Sequence, residues 1–244
     1  MSSRIGSLAV ALAVALALVP ALPAWAQKPI VDSNPVVEEF ATFDGSGLSP
    51  SPTAGQLDSD EFAGTGMSDG AVSFGGTATI GDWARGGSSG GVTPGGLYAW
   101  TGGPDRWLFV QPVGTDFNPG TLTVRYVNQT GRQIPTLDVS YQVLVFNDQP
   151  RANSWNFSYS TDDVAYTSVP ALDLTTPEVA DTIPSWTPSA RATRLTDLAV
   201  PPGGFVYIRF SSADVSGAGN RDEIGIDKVS VTFPDVIFED GFEA

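Results

Sequence analysis

The chain has 244 residues, with 12 Lys and Arg against 27 Asp and Glu for a formal net charge of −15 at pH 7, and it contains neither Cys nor His. Those two absences remove disulfides, thiolate and imidazole metal sites, Cys nucleophiles and every Ser-His-Asp triad. The acidic balance repels phosphate backbones and anionic headgroups, which argues against nucleic-acid binding through a basic patch.

At the start of the chain Arg4 precedes an apolar run from Leu8 to Leu18, then Pro20, Pro23 and the small-residue site Ala24-Trp25-Ala26. This order of basic, apolar and small-residue regions predicts a secretory signal peptide over 1–26. The apolar run is shorter than the ~20 residues of a membrane span, so no transmembrane anchor is expected in the mature chain. Cleavage after Ala26 leaves 11 basic against 27 acidic residues. The remainder divides into a Pro-containing lead (27–35), one β-sandwich domain (36–233) and an acidic, aromatic tail (234–244).

The first strand is expected at Val36–Phe43, stopped by Asp44-Gly45-Ser46-Gly47. From there to Gly103 short apolar stretches such as Ala71–Phe74 and Thr77–Ile80 alternate with Gly-rich turns, and recurring aromatics supply the burial that a disordered tract lacks. Thr121–Val127 and Leu137–Phe146 carry strong strand patterns. Ser154–Ser160, the turn Thr161-Asp162-Asp163 and the return Val164–Val169 predict a hairpin. Later strands are expected at Arg194–Val200, Phe205–Phe210 and Ile224–Phe233. No sustained 3.6-residue apolar period follows the signal peptide, and no fixed-period repeat supports a β-helix. The pattern predicts an all-β fold: a two-sheet antiparallel sandwich of jelly-roll type.

Candidate sites follow from residue chemistry. Asp222, Glu223 and Asp227 gather near the start of the last strand, where oxygen ligands suit Ca²⁺, with Glu38 and Glu39 joining them if first and last strands are neighbours. The competing reading pairs these acids with Arg221 and Lys228. Asp58, Asp60 and Glu61 form a second acidic group in a turn-rich segment, read as a solvated loop ahead of a calcium site. Trp83, Trp100 and Trp107 are candidate sugar-stacking residues, against core packing as the ordinary fate of tryptophan. Trp100 and Trp107 flank the loop-like insert Thr101-Gly102-Gly103-Pro104-Asp105. Gly86-Gly87-Ser88-Ser89-Gly90-Gly91 lacks the Gly-Lys-Ser/Thr of a phosphate loop.

Several segments together, among them Ser51–Asp60, Phe74-Gly75-Gly76-Thr77, Ala84-Arg85-Gly86, Gly90-Gly91-Val92-Thr93, Phe146–Gln149, Asn156–Ser160 and Arg221–Asp227, resemble a family of secreted bacterial jelly-roll proteins of mostly unassigned activity. The resemblance implies a galactose-binding-like or concanavalin-like sandwich. Lys228 stands where such closing strands often carry a second acid. The ending Ile237–Glu243 is similar to the C-terminal sorting tails of exported bacterial proteins. The expectation is a secreted or cell-surface, non-catalytic module that binds carbohydrate or matrix, with a structural Ca²⁺. Two alternatives stand beside it: a carboxylate-based glycan hydrolase or the accessory domain of one, and a self-associating envelope protein.

Overall fold

The computed structural model describes residues 27–234, so the expected signal peptide and the tail beyond Pro234 lie outside the described residues. In chain order the strands are β1 (Lys28–Ile30), β2 (Val36–Glu38), β3 (Leu48–Ser49), β4 (Leu57–Asp58), β5 (Phe62–Thr65), β6 (Gly87–Ser88), β7 (Gly96–Trp100), β8 (Leu108–Gln111) and β9 (Gly120–Asn128). There follow β10 (Leu137–Phe146), β11 (Arg151–Ser160), β12 (Thr167–Ser168), β13 (Leu174–Thr175), β14 (Trp186–Leu195), β15 (Phe205–Ser212), β16 (Asp214–Gly217) and β17 (Glu223–Thr232). Two 3₁₀ turns, Gly81–Trp83 and Pro170–Leu172, are the helical elements among the described residues.

The strands form two large sheets. One runs β1-β9-β15-β11-β12, with β5 also on β9 and with β13 and β16 on β11; the other runs β14-β10-β17-β8-β7-β6, with β2 on β17. Pairing is antiparallel except at β1/β9, β6/β7 and the small β3/β4 ribbon. The fold is thus an all-β two-sheet sandwich, as the patterning predicts.

Period-two alternation aims one side of each long strand into the space between the sheets. Leu122, Val124 and Tyr126 of β9 and Val206, Ile208 and Phe210 of β15 meet Val139, Tyr141 and Val143 of β10 and Ile224, Ile226, Val229 and Val231 of β17. The inward residues of β17 skip a step between Ile226 and Val229. A bulge opposite Ser140–Gln142 accommodates it, with Lys228 at φ 52°. The extra residue restores the alternation. Aromatic rings bridge the sheets: Tyr141 stacks on Phe157 at 5.8 Å and meets Phe210 edge-on at 5.0 Å, while Trp155 lies between Phe117 and Phe210.

Three segments depart from the sequence expectation. The lead contains β1, which pairs with β9 in parallel. The first expected strand stops at Glu38, because Phe40 turns the chain at φ 50°. The strand expected at Arg194–Val200 lies instead at Trp186–Leu195.

Lys28 ties the sheets at one end. Its ammonium contacts Glu38 on β2 at 2.5 Å and Glu61 before β5 at 2.8 Å, and all three side chains are mostly buried. Removing one member of a buried ionic group strands the others, at ~3–5 kcal/mol. Lys28→Ala is therefore expected to lower the unfolding free energy by roughly that amount, as measured by urea denaturation. Asp214 on β16 accepts from Arg221 at 2.5 and 2.8 Å and from Arg151 at 2.6 Å. The Arg221 hydrogen bonds hold the Asp214 carboxyl below the usual range. Its folded pKa is depressed, so this stabilisation is complete above the unfolded value of about 3.9 and is lost as pH falls through the folded value. Asp214→Asn should therefore reduce the urea midpoint at pH 7, with the gap to the parent closing as the pH falls below the unfolded value of about 3.9.

Candidate functional site

The outer faces of the two sheets differ in kind. On the β10–β17–β8–β7 sheet, Tyr98, Trp107, Phe109 and Leu144 form a second buried cluster, with Val92, Trp100 and Trp186 packed against it. Trp100 and Trp107 stack at 3.7 Å and 10° between planes. Backbone closes the stack: a Cβ on Gly102 or Gly103 would fall 2.6 or 2.9 Å from Trp100 ring carbons, and one on Gly225 would fall 3.0 Å from Trp107. The loop 89–95 covers the rest, with Gly90 against Trp186 and Phe146, and Trp186 donating to the Ser89 carbonyl at 2.8 Å. Trp107 is 8% exposed. The glycines that follow Trp100 let the chain lie on its ring, which is left half-buried. Trp83 corrects the expectation outright: it is buried in the inter-sheet core at 2% exposure, under Gly64, and donates to the Gly70 carbonyl.

The five expected metal ligands do not converge. Strands β2 and β17 are neighbours, as that reading requires, with Glu38 opposite Val229. Val229 faces the core, however, and the Glu38 carboxylate is taken by Lys28 and the Phe40 amide. Asp227 lies at the bulge beside Lys228 at 3.4 Å, in a small depression shared with Glu39, Asp105 and Arg106. Asp222 and Glu223 are wholly buried at the other end of β17, some four residues or ~13 Å away at ~3.3 Å per residue. Among the described residues, no three Asp or Glu side chains gather as a metal centre. The competing reading is half met, since Lys228 pairs with Asp227 while Arg221 turns to Asp214. Burial pushes the Asp222 carboxyl up to about 6, and burial together with the adjacent Asp148 carboxylate pushes Glu223 up to about 8.

The outer face of the other sheet is open. Register places Ala63, Thr123, Arg209 and Ser158 in one row, and Thr65, Thr121, Ser211 and Asn156 in the next. Along this face lies a cleft of about 190 Å³, lined by Thr65, Phe74, Thr121, Thr123, Asp163 and Arg209 among others. The hairpin after β11 supplies its wall. Asp163, at φ 60°, accepts from Arg209 at 3.2 Å and from the Tyr166 hydroxyl. The Arg209 guanidinium stacks 3.5 Å from the Tyr166 ring centroid and donates to Thr123 Oγ1 at 3.0 Å. Beside it Arg125 lies over Phe74 at 4.3 Å and Phe205 at 5.0 Å. Burial and the hydrogen bond to Asp163 raise the Tyr166 phenol above its ordinary value. It remains a neutral hydroxyl donor at physiological pH. The sequence signal for this site is the alternation Phe205-Tyr207-Arg209 against Val206-Ile208-Phe210. Phe74 and Asp163 reach it only through the tertiary fold.

No family model matches this chain, and no curated protein matches its sequence. Similarity to solved structures is distant. A carbohydrate-binding module specific for non-crystalline cellulose, CBM28, aligns at 12% identity over 58% of this chain and 84% of its own, with a TM-score of 0.37. The module TmCBM61, solved with β-1,4-galactotriose, aligns at 9% over 57% and 82%, TM-score 0.33. The K1 cleaved adhesin domain of Lys-gingipain from Porphyromonas gingivalis aligns at 11% over 57% and 85%, TM-score 0.35.

The enclosed stack makes a prediction about stability. Trp107→Ala leaves a cavity between Trp100 and Gly225 and is expected to cost ~3–5 kcal/mol, as measured by denaturant unfolding. A loss below 1 kcal/mol would show the ring to be solvent-facing.

Proposed function

We propose that this chain is an exported carbohydrate-binding module whose ligand lies on the hydroxyl-rich outer face of β5-β9-β15-β11. One observation carries the reading: the cleft sets aromatic rings beside fixed, planar hydrogen-bonding groups. A sugar ring has an apolar C–H face and a rim of hydroxyls that both donate and accept. Phe74 offers a ring face, with Tyr166 bordering the cleft behind Arg209. Thr65 and Thr121 offer hydroxyls, Arg209 a planar donor fork and Asp163 a carboxylate acceptor. The ion pair between Arg209 and Asp163 neutralises the pocket, which suits an uncharged hydroxylated ligand on a chain of net charge −15. At about 190 Å³ the cleft is smaller than the ~300 Å³ floor of drug-sized sites, so it takes one sugar unit while neighbouring units run along the sheet face.

A carboxylate-pair hydrolase requires two acids facing one another across an open groove, about 5–9.5 Å apart. Asp163 is the one acid lining the cleft, the close pair Asp148 and Glu223 is enclosed beneath the Val92 loop, and in the small depression of Glu39, Asp105 and Asp227 the Asp227 carboxylate is paired with Lys228. The geometry therefore favours binding over hydrolysis.

Isothermal calorimetry against soluble polysaccharides, guided by a glycan array, tests the proposal. Phe74→Ala and Arg209→Ala are each expected to weaken binding at least tenfold, equivalent to ~1.4 kcal/mol, without changing the thermal midpoint by more than a few degrees. Absence of any glycan ligand, or affinity unaltered in both variants, would overturn it.

A further inference from the structure

Two groups among the buried polar atoms that lack a hydrogen-bond partner differ in chemistry. In the first, Asn153 Nδ2 and Oδ1, Trp155 Nε1 and Ser212 Oγ lie together where β11 meets β15. Donors and acceptors are mixed there, and ordered water satisfies both. In the second, around the start of β17, the partnerless atoms include Gln111 Oε1, Asp148 Oδ1, Asp222 Oδ2 and Glu223 Oε2. All four are acceptors.

The backbone brings the second set together. Ile224 pairs with Val110, which puts Gln111 beside Glu223 on the outer side of β17; Phe146 pairs with Glu223 from the opposite strand, and Asp148 follows two residues later. Its carboxyl meets that of Glu223. Glu223 is 0% exposed and Gln111 2%. The Gln111 amide is locked, because its nitrogen donates to the Pro112 and Arg221 carbonyls at 3.0 and 2.9 Å. A flip would set two carbonyls against an oxygen, so Oε1 stays turned away from them. The neighbouring guanidinium of Arg221 is committed to Asp214. Glu223 Oε1 takes one amide hydrogen, from Val92 at 2.7 Å.

We propose that a hard divalent cation binds here, held by the Asp148 and Glu223 carboxylates and by Gln111 Oε1. Two carboxylates and an amide oxygen, with no nitrogen or sulfur ligand, match Ca²⁺, whose 6–8 oxygen ligands are completed by water. Asp222 is a positioning residue. It faces the other way on β17 and accepts from the Gln149 amide at 3.0 Å, which fixes the turn carrying Asp148. The ion would join three strand ends and the Val92 loop. With two protein charges the site belongs to the weak extracellular class, at about 10⁻⁴–10⁻³ M.

Tb³⁺, an oxygen-seeking Ca²⁺ surrogate, reports the site directly, since Trp186 packs on Phe146, the ladder partner of Glu223. Excitation of tryptophan in the purified protein should give saturable Tb³⁺ emission that Ca²⁺ displaces, and millimolar Ca²⁺ should raise Tm by several degrees over EDTA. Glu223→Gln and Asp148→Asn should each lose both effects, whereas Asp227→Asn keeps them. Equal melts in Ca²⁺ and EDTA without displaceable emission overturn the proposal. So does a Glu223→Gln protein that melts higher than the parent in EDTA while the parent ignores Ca²⁺, the signature of a carboxyl pair sharing a proton. Loss of both effects in Asp227→Asn, with Glu223→Gln unaffected, would move the ion elsewhere and also overturn it.

Discussion

The layer of aromatic and branched side chains between the sheets is what each outer surface depends on. Tyr141 reaches from β10 to stack on Phe157 and abut Phe210, and Trp155 sits between Phe117 and Phe210. With no cysteine in the chain, no covalent link supports that layer. Its packing is of the density at which lost methylenes are felt. Buried ionic ties such as Lys28 with Glu38 and Glu61 close its edge.

Because the strands alternate, filling the interior determines which residues face outward without determining what they are. The two outer faces have used that freedom differently. On the β10–β17–β8–β7 side, glycines and a loop cover aromatic outward residues into a second, smaller core, with Trp100 and Trp186 half-buried at its edge. On the β9–β15–β11 side they are hydroxyls and arginines bracketed by Phe74 and Tyr166, and the surface stays open. β17 is central to one sheet and contributes to both its faces. Its inward residues build the core, while Glu223, Gly225 and Asp227 meet three unlike environments outside.

Much of this architecture was legible from residue patterns. Leu137–Phe146 is a strand over the span its β-branched and aromatic run predicts, and β9 and β15 agree within two residues. β14 was hidden because it is an edge strand interrupted by Pro188 whose half-buried positions hold Ser189, Arg191 and Thr193, so no apolar alternation marks it. β1 was hidden by Pro29, acceptable only because its sole partner is β9. The sites were less legible still. Whether Trp100 faces water depends on two glycines folding back upon it, and Asp163 joins Arg209 only once β11 and β15 are paired. Asp222, Glu223 and Asp227 are visible in the sequence as carboxylates close along one stretch of chain. Their separation by a bulge and by strand length, and the nearness of Gln111 and Asp148 to Glu223, arise only once the strands pair.

The sealed aromatic face has an optical consequence. Among the described residues the tryptophans are Trp83, Trp100, Trp107, Trp155 and Trp186, and they belong to the inner core or to the closed face; the cleft is lined by phenylalanine and borders tyrosine. Indole emission, which reports many sugar-protein encounters, is therefore positioned to watch the integrity of this fold and stays dark to whatever settles on its open side.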